Sequence, residues 1–246
     1  MKKEEYVTMY ETEEEHWWFK GKRKIVFSQL EKHLHSKKNL KILDIGCGTG
    51  MMMKNFQRYG KVNGIDIETT ALNFCHKRGL TNIAQADIES LPFRNNNFDV
   101  VSIFDVLYHK GIKNDVKALK EIFRTLKASG IIILTDSADM KLWSRHDIAA
   151  HARERYTLAT LSSRMKTAGF KILKMSYFNT ILYPLVFIVR KLDNMSNKNK
   201  PVKSNIKKTN PILNSILYLI LAFEGFLLKF LNFPFGVSIF VIAKKN

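Results

Sequence analysis

From Lys41 onward, short apolar runs alternate with stretches whose apolar residues recur at helical spacing. The runs read "KILDIG", "KVNGIDI", "NIAQAD", "FDVVSIFDV" and "GIIILTDS". Between them the pattern predicts helices near Met52–Tyr59, from Thr69 to Arg78 and near Asn114–Leu126. A further helix over Lys22–His33 precedes the first run, carried by Ile25, Val26, Leu30 and the pair His33–Leu34. Strands joined by single helices are crossover units, so the chain is expected to be α/β with a doubly wound, mostly parallel sheet. Ligands of such sheets sit beyond the carboxyl ends of the strands, where strand order reverses. Asp44, Asp66, Asp87 and Asp105 fall at those ends.

The first strand opens into Gly46-Cys47-Gly48-Thr49-Gly50. This is GxGxG, not GxGxxG, and no Lys-Ser/Thr follows as in a phosphate-gripping loop. An acid within the strand end, Asp44, is awkward beside a pyrophosphate and suits a ligand with an α-ammonium. Asp66 is placed to take both hydroxyls of a ribose, and Asp87 to accept from the exocyclic amine of adenine. Ammonium, ribose and adenine without phosphate describe S-adenosylmethionine. Each aspartate taken alone is equally a helix or turn cap. Acids after three consecutive strands, together with the glycine turn, favour the ligand.

"LDIGCGTG", "GIDI", "AQADIESLPFRNNNFDVV", "DVLYH" and "LKEIFRTLKASGIIILT", taken in order, resemble the successive motifs of class I S-adenosylmethionine-dependent methyltransferases of the type 11-like group. The likeness is dense from Lys41 to about Phe170. "EEEHWWFKGKR" and "LWSRHD…RERYT" further resemble a subgroup found in glycan and lipid-linked saccharide pathways. "KASG" at Lys127–Gly130 departs from the family's usual Lys-Pro-Gly-Gly, though the turn can still form. The resemblance implies a seven-stranded Rossmann-like sheet. It also implies that Asp44, Gly46, Cys47, Gly48 and Gly50 line the methionine and ribose. Asp66 and Ile67 would hold the ribose, Asp87 and Ile88 the adenine, and Phe104 and Asp105 would close over the cofactor. Trp17 and Trp18 with Arg23 would form a lid, the arginine pairing with the cofactor carboxylate; the tryptophans would serve equally as a staple of the N-terminal helix onto the sheet.

Methyl transfer needs nucleophile, methyl and sulfur in line, and for a hydroxyl acceptor a route for its proton. His109, after the fourth strand, is the expected catalytic residue, as base or as a group that positions the acceptor; Tyr108 beside it is a substrate contact. "DMKLWSRHDIAAHARERYT" adds His146, His151, Arg155 and Tyr156 as acceptor contacts, the arginines suiting a phosphate or carboxylate. His146, Asp147 and His151 do not share one helix face, so no metal is expected.

Family members commonly end in a hairpin, which "FKILKMSYF" (Phe170–Phe178) and "GVSIFVIAKK" (Gly236–Lys245) would supply. More than fifty residues separate them, an apolar and basic insertion before the last strand. The organisation expected is a helical lid over residues 1–40, a core over 41–178 and 235–246, and an insertion over 179–234. Ile212–Leu231 is 20 residues long, enough to span a bilayer on length alone. Glu224 and Lys229 inside it are costly in hydrocarbon, and the last strand must rejoin the sheet. The insertion is therefore read as apolar helices that lie on a membrane, form a substrate tunnel or bury against a partner, the alternative being an internal helical lid with a solvated basic loop. Asp193–Asn210 reads as a basic loop.

A net charge of +18 fits this picture without nucleic acid, since Lys191, Lys198, Lys200, Lys203, Lys207 and Lys208 flank the apolar stretches. No nucleic acid partner is expected, and a homodimer is left open. Two cysteines, Cys47 and Cys75, make no disulfide framework, and no leader-like apolar segment opens the chain, so a cytoplasmic setting, peripheral on the membrane face, is expected. The activity expected is O-methylation of a glycan, lipid-linked saccharide or other amphipathic acceptor. Methylation of a small molecule or nucleic acid, or a silent cofactor-binding scaffold at a membrane, are the alternatives.

Overall fold

A computed structural model of the chain describes residues 3–34, 38–196 and 209–246. Two helices, α1 (Lys3–Thr12) and α2 (Trp17–Leu30), lead into β1 (Leu40–Ile45), α3 (Met51–Phe56), β2 (Gly60–Asp66), α4 (Thr69–Lys77) and β3 (Ile83–Gln85). The second half runs β4 (Phe98–Phe104), α5 (Asp115–Thr125), β5 (Leu126–Ser137), α6 (Arg145–Ala149), α7 (Leu158–Thr167) and β6 (Phe170–Phe178). The chain ends with α8 (Tyr183–Ser196), α9 (Pro211–Leu227) and β7 (Ser238–Lys245).

The strands form one seven-stranded sheet in the order β3-β2-β1-β4-β5-β7-β6. The first five are parallel, and β7 runs antiparallel between β5 and β6. Strand order reverses between β1 and β4, so the glycine turn after β1 stands at the switch point. Alternate strand residues enter two cores. Leu43, Val101, Ile103, Ile132 and Leu134 face α5 and α7 through Leu119, Ile122, Leu161 and Met165. Ile42, Val100, Ile131 and Ile133 face the other way, against Ile25, Val26, Phe56, Leu221 and Leu228. Burial on both faces is why these strands read as continuous apolar runs.

The expected elements shift at their ends. The helix predicted from Lys22 begins at Trp17, because the His16 ring accepts the Trp18 N–H at 3.3 Å and caps it there, and it stops at Leu30, short of His33. The "KASG" stretch lies inside β5 as an irregularity. Phe98 pairs with Leu126 and Val100 with Ile131, so residues 127–130 loop out of register, with Ser129 at φ 60°.

Residues 179–234 contain α8 and α9. Asp193–Ser196, read as the start of a loop, instead finish α8. Lys198, Lys200, Lys203, Lys207 and Lys208 lie outside the described residues. Glu224 is 1% exposed and accepts the N–H groups of Thr180 at 2.8 Å and Ile181 at 2.9 Å, so this buried acid holds the chain that leaves β6. Glycines bring α9 close to α2: a Cβ on Gly21 would stand 2.4 Å from Leu221 Cδ2, and one on Gly225 2.7 Å from Ile25 Cγ1. Among the described residues no helix is long and apolar enough to cross a membrane.

Candidate active site

A cavity of about 970 Å³ opens over the carboxyl ends of β1, β2 and β4. Its floor is made by the residues that follow each strand: Gly46 and Gly48, Asp66 and Ile67, Asp87 and Ile88, and Phe104 and Asp105. Gly46 has φ 66°, and a Cβ there would stand 2.3 Å from Val106 Cγ2, so only glycine lets the turn pass under the loop after β4. Asp66 ties turn to strand. Its carboxylate takes the Gly48 N–H at 3.0 Å and the Glu68 N–H at 3.0 Å. Burial pushes its carboxyl up, and those two donors pull against the rise.

One wall comes from α1 and α2, through Tyr6, Met9, Trp17, Trp18 and Lys22. Trp18 both faces the cavity and stacks on Phe178 with ring centres 5.7 Å apart, so it fastens α2 to the end of β6. Lys22, whose side chain is 8% exposed, donates to Asp105 at 2.6 Å across the cavity floor. Asp105 is held with φ 56°, and Thr135 also donates to it at 3.3 Å.

The opposite wall holds Tyr108, His109, His146, Arg155 and Arg190. Asp147 joins the two arginines: Arg155 donates through Nε at 2.9 Å and Arg190 at 3.2 Å. Two guanidiniums on one carboxylate leave this wall electropositive. Burial, then the Arg155 charge, lowers Arg190 to about 10. Burial and the Arg190 charge lower His146 to about 4. His109 accepts the Gly111 N–H on Nδ1 at 3.1 Å, which leaves the proton of a neutral ring on Nε2. Burial, with His151 adding to it, lowers His109 to about 4. His109 thus lines the cavity as a neutral ring of low basicity.

Several expected residues stand off the cavity. Asp44 lies behind the floor at 2% exposure, taking the Ser102 hydroxyl hydrogen at 2.6 Å. Cys47 is buried with its sulfur 3.8 Å from that of Cys75, and Gly50 packs on Leu80. Arg23 is one residue past Lys22, about 100° further round the helix, and turns away to cap the Glu13 carbonyl at 2.6 Å and that of Glu14 at 2.8 Å. Tyr156 is fully buried and donates to Asp115 at 2.7 Å, beside Arg153 and Arg164. His151 sits behind His109, ring centres 5.7 Å apart. Lys22 and Arg190 are the residues that sequence reasoning missed. Lys22 follows Trp18 by one helical turn, and Arg190 with Lys191 ends the apolar run of α8; both placements were legible. Among the described residues no three His, Cys, Asp or Glu side chains gather for a metal.

Residues 43–134 match the Methyltransferase domain family. This segment is an S-adenosylmethionine-dependent methyltransferase domain. The chain is 32% identical over 132 residues to phosphoethanolamine N-methyltransferase of Plasmodium falciparum, covering 50% of this chain and 49% of that one. It is 34% identical over 116 residues to the ubiquinone/menaquinone biosynthesis C-methyltransferase of Campylobacter jejuni, covering 42% and 47%. The chain thus spans half or less of the length of these curated relatives. An S-adenosylmethionine-dependent methyltransferase from Mesorhizobium loti shares the fold, with a TM-score of 0.60 at 14% identity over 90% of this chain and 98% of that one. The cavity suits the domain's cofactor: a glycine cradle that tolerates no Cβ, then carboxylates after β2 and β3.

Proposed function

We propose that the chain transfers a methyl group from S-adenosylmethionine to an amphipathic acceptor that carries an anionic group, an oxygen of a glycan or lipid-linked saccharide being the atom expected. Asp66 would take the ribose hydroxyls, Asp87 and Ile88 the adenine, and Gly46 and Gly48 the methionine side. Bound there, the cofactor supplies an electrophilic methyl on its sulfonium. The chain's own residues then bind and orient. Arg155 and Arg190 attract the anionic group, Tyr108 and His109 set the acceptor's angle, and Trp18 with Lys22 exclude water.

The observation that carries this reading is the extent of the cavity. It runs from the glycine turn past the two arginines to Leu185 and Val189 of α8 and Leu213 and Leu217 of α9, an apolar wall that a nucleoside does not need. The relative named for phosphoethanolamine acts on a molecule that bears a phosphate, which accords with the arginines.

The test is calorimetric titration with S-adenosylhomocysteine, followed by transfer of labelled methyl into an extract that is then partitioned into organic and aqueous phases. Micromolar binding with label in anionic, organic-soluble material is expected. Label confined to neutral water-soluble products would overturn the acceptor class. Arg190→Met should raise the acceptor KM and leave S-adenosylhomocysteine affinity unchanged.

A further inference from the structure

Among the described residues nothing covers the outer faces of α8 and α9. On α9, Ile212, Ile216, Leu219, Phe223 and Phe226 follow one another at steps of four and three residues, all exposed. On α8, Leu185, Ile188, Leu192 and Met195 do the same. Steps of four and three put each set on one helix face. Soluble monomers seldom leave so much apolar surface bare.

A row of ammonium groups borders this surface. Lys20 and Lys24 hold their Nζ atoms 5.5 and 5.7 Å from the centre of the Tyr218 ring on α9. Lys32 lies 5.5 Å from the centre of the Phe230 ring and donates to the Lys229 carbonyl at 2.9 Å. Lys174 donates to the Leu231 carbonyl at 3.0 Å. Among the described residues only Lys20 of this row stands in an ion pair, with Glu15 at 3.0 Å. Ammonium groups on long stems beside an apolar stripe are the arrangement of a helix in a lipid headgroup layer.

We infer that α8 and α9 dock on an anionic lipid bilayer, with their exposed apolar faces in the headgroup boundary and the lysine row on the lipid phosphates. Charge decides between this and a second copy of the chain. A two-fold interface through the same face would put two lysine rows, one from each copy, into one interface and add no opposite charge to balance them. Anionic headgroups neutralise the row instead. The cavity opens beside this face: Leu185 of the α8 stripe lines the cavity, as do its neighbours Val189 and Leu213, which are 50% and 48% exposed. Docking therefore sets the acceptor chamber against the lipid, so the acceptor enters from the bilayer without crossing water. This entry route rests on the proposed methyl transfer to an amphipathic acceptor; the docking does not.

The experiment is co-flotation of the full chain with vesicles of phosphatidylcholine mixed with phosphatidylglycerol, and with phosphatidylcholine alone, with S-adenosylhomocysteine titrated into the same samples. Binding to the mixed vesicles, and much weaker binding to the neutral ones, is expected. Leu219→Glu with Phe223→Glu should abolish flotation. Lys24→Gln with Lys32→Gln should weaken it by roughly thirtyfold, from about fivefold per ammonium group lost. Both variants should bind S-adenosylhomocysteine like the parent, which shows that they fold. No flotation by a parent chain that binds S-adenosylhomocysteine overturns the docking and leaves the transferase reading standing. So does a concentration-dependent dimer, seen by sedimentation and lost in the Leu219/Phe223 variant, which assigns the face to a second copy. Flotation without S-adenosylhomocysteine binding keeps the docking and sinks the transferase reading.

Discussion

Asp44→Asn removes one titration from the interior and keeps the side chain's shape. Burial pushes the Asp44 carboxyl from its ordinary 3.8 up to about 7. The Ser102 hydroxyl and Lys22 pull it down, and the Asp66 carboxylate adds to the rise. Between those two pH values the unfolded chain has released a proton that the folded chain keeps. Stability is therefore present in full below pH 4 and falls as pH rises, by about 1.4 kcal/mol per pH unit. The window from 3.8 to about 7 thus makes an ionised Asp44 cost the folded state about 4 kcal/mol by pH 8. Asparagine still accepts from Ser102 and never ionises; any misfit of its amide is a constant offset. The unfolding free energy of the variant minus that of the parent should climb by about 4 kcal/mol between pH 4 and pH 8. Asp136, also raised by burial, bends both curves alike and cancels in the difference, whereas the coupling of Asp66 to Asp44 stays in it. The assay is urea unfolding followed by tryptophan fluorescence at a series of pH values without ligand. A difference independent of pH would refute the reasoning and would mean that water reaches Asp44 through the cavity floor.

Asp66→Ala should weaken S-adenosylhomocysteine binding by about a hundredfold, the worth of two hydrogen bonds to a charged acceptor; unchanged affinity in calorimetry would move the ribose elsewhere. His109→Ala should cut turnover tenfold or more while leaving that affinity within about twofold. Because His109 is lowered to about 4, the parent's turnover should hold from neutral pH down toward 4, and a loss centred near 6.5 would show a ring that titrates as if exposed. Glu224→Ala strips the Thr180 and Ile181 N–H groups of their acceptor and should cost about 2–4 kcal/mol in urea unfolding. Glu224→Gln, which keeps an acceptor, should cost less, and equal losses would mean that the carboxylate charge holds the junction.

The run from β1 to β5 was legible because its signals are local. Parallel strands buried on both faces must be apolar throughout, and the turns after them need glycine and aspartate for reasons internal to a few residues. The cavity at the switch point followed from the order of those elements, and Asp66, Asp87 and His109 line it. What the tertiary structure decided was which of two neighbouring side chains meets the cavity. Lys22 does and Arg23 does not, because the roll of α2 is set by α9: Leu221 against Gly21, Ile25 against Gly225, and the Trp17 N–H on Asn214 at 2.8 Å across 197 residues of chain. Tyr156 left the site for the same kind of reason, drawn to Asp115, which lies 41 residues before it. Arg190 entered the site because α8 folds back over α6 and finds Asp147. Local pattern sets an element's kind and extent, whereas the face it turns inward depends on partners that are distant in sequence: for α2 these come from the insertion before the last strand, for Tyr156 from α5 and for Arg190 from α6.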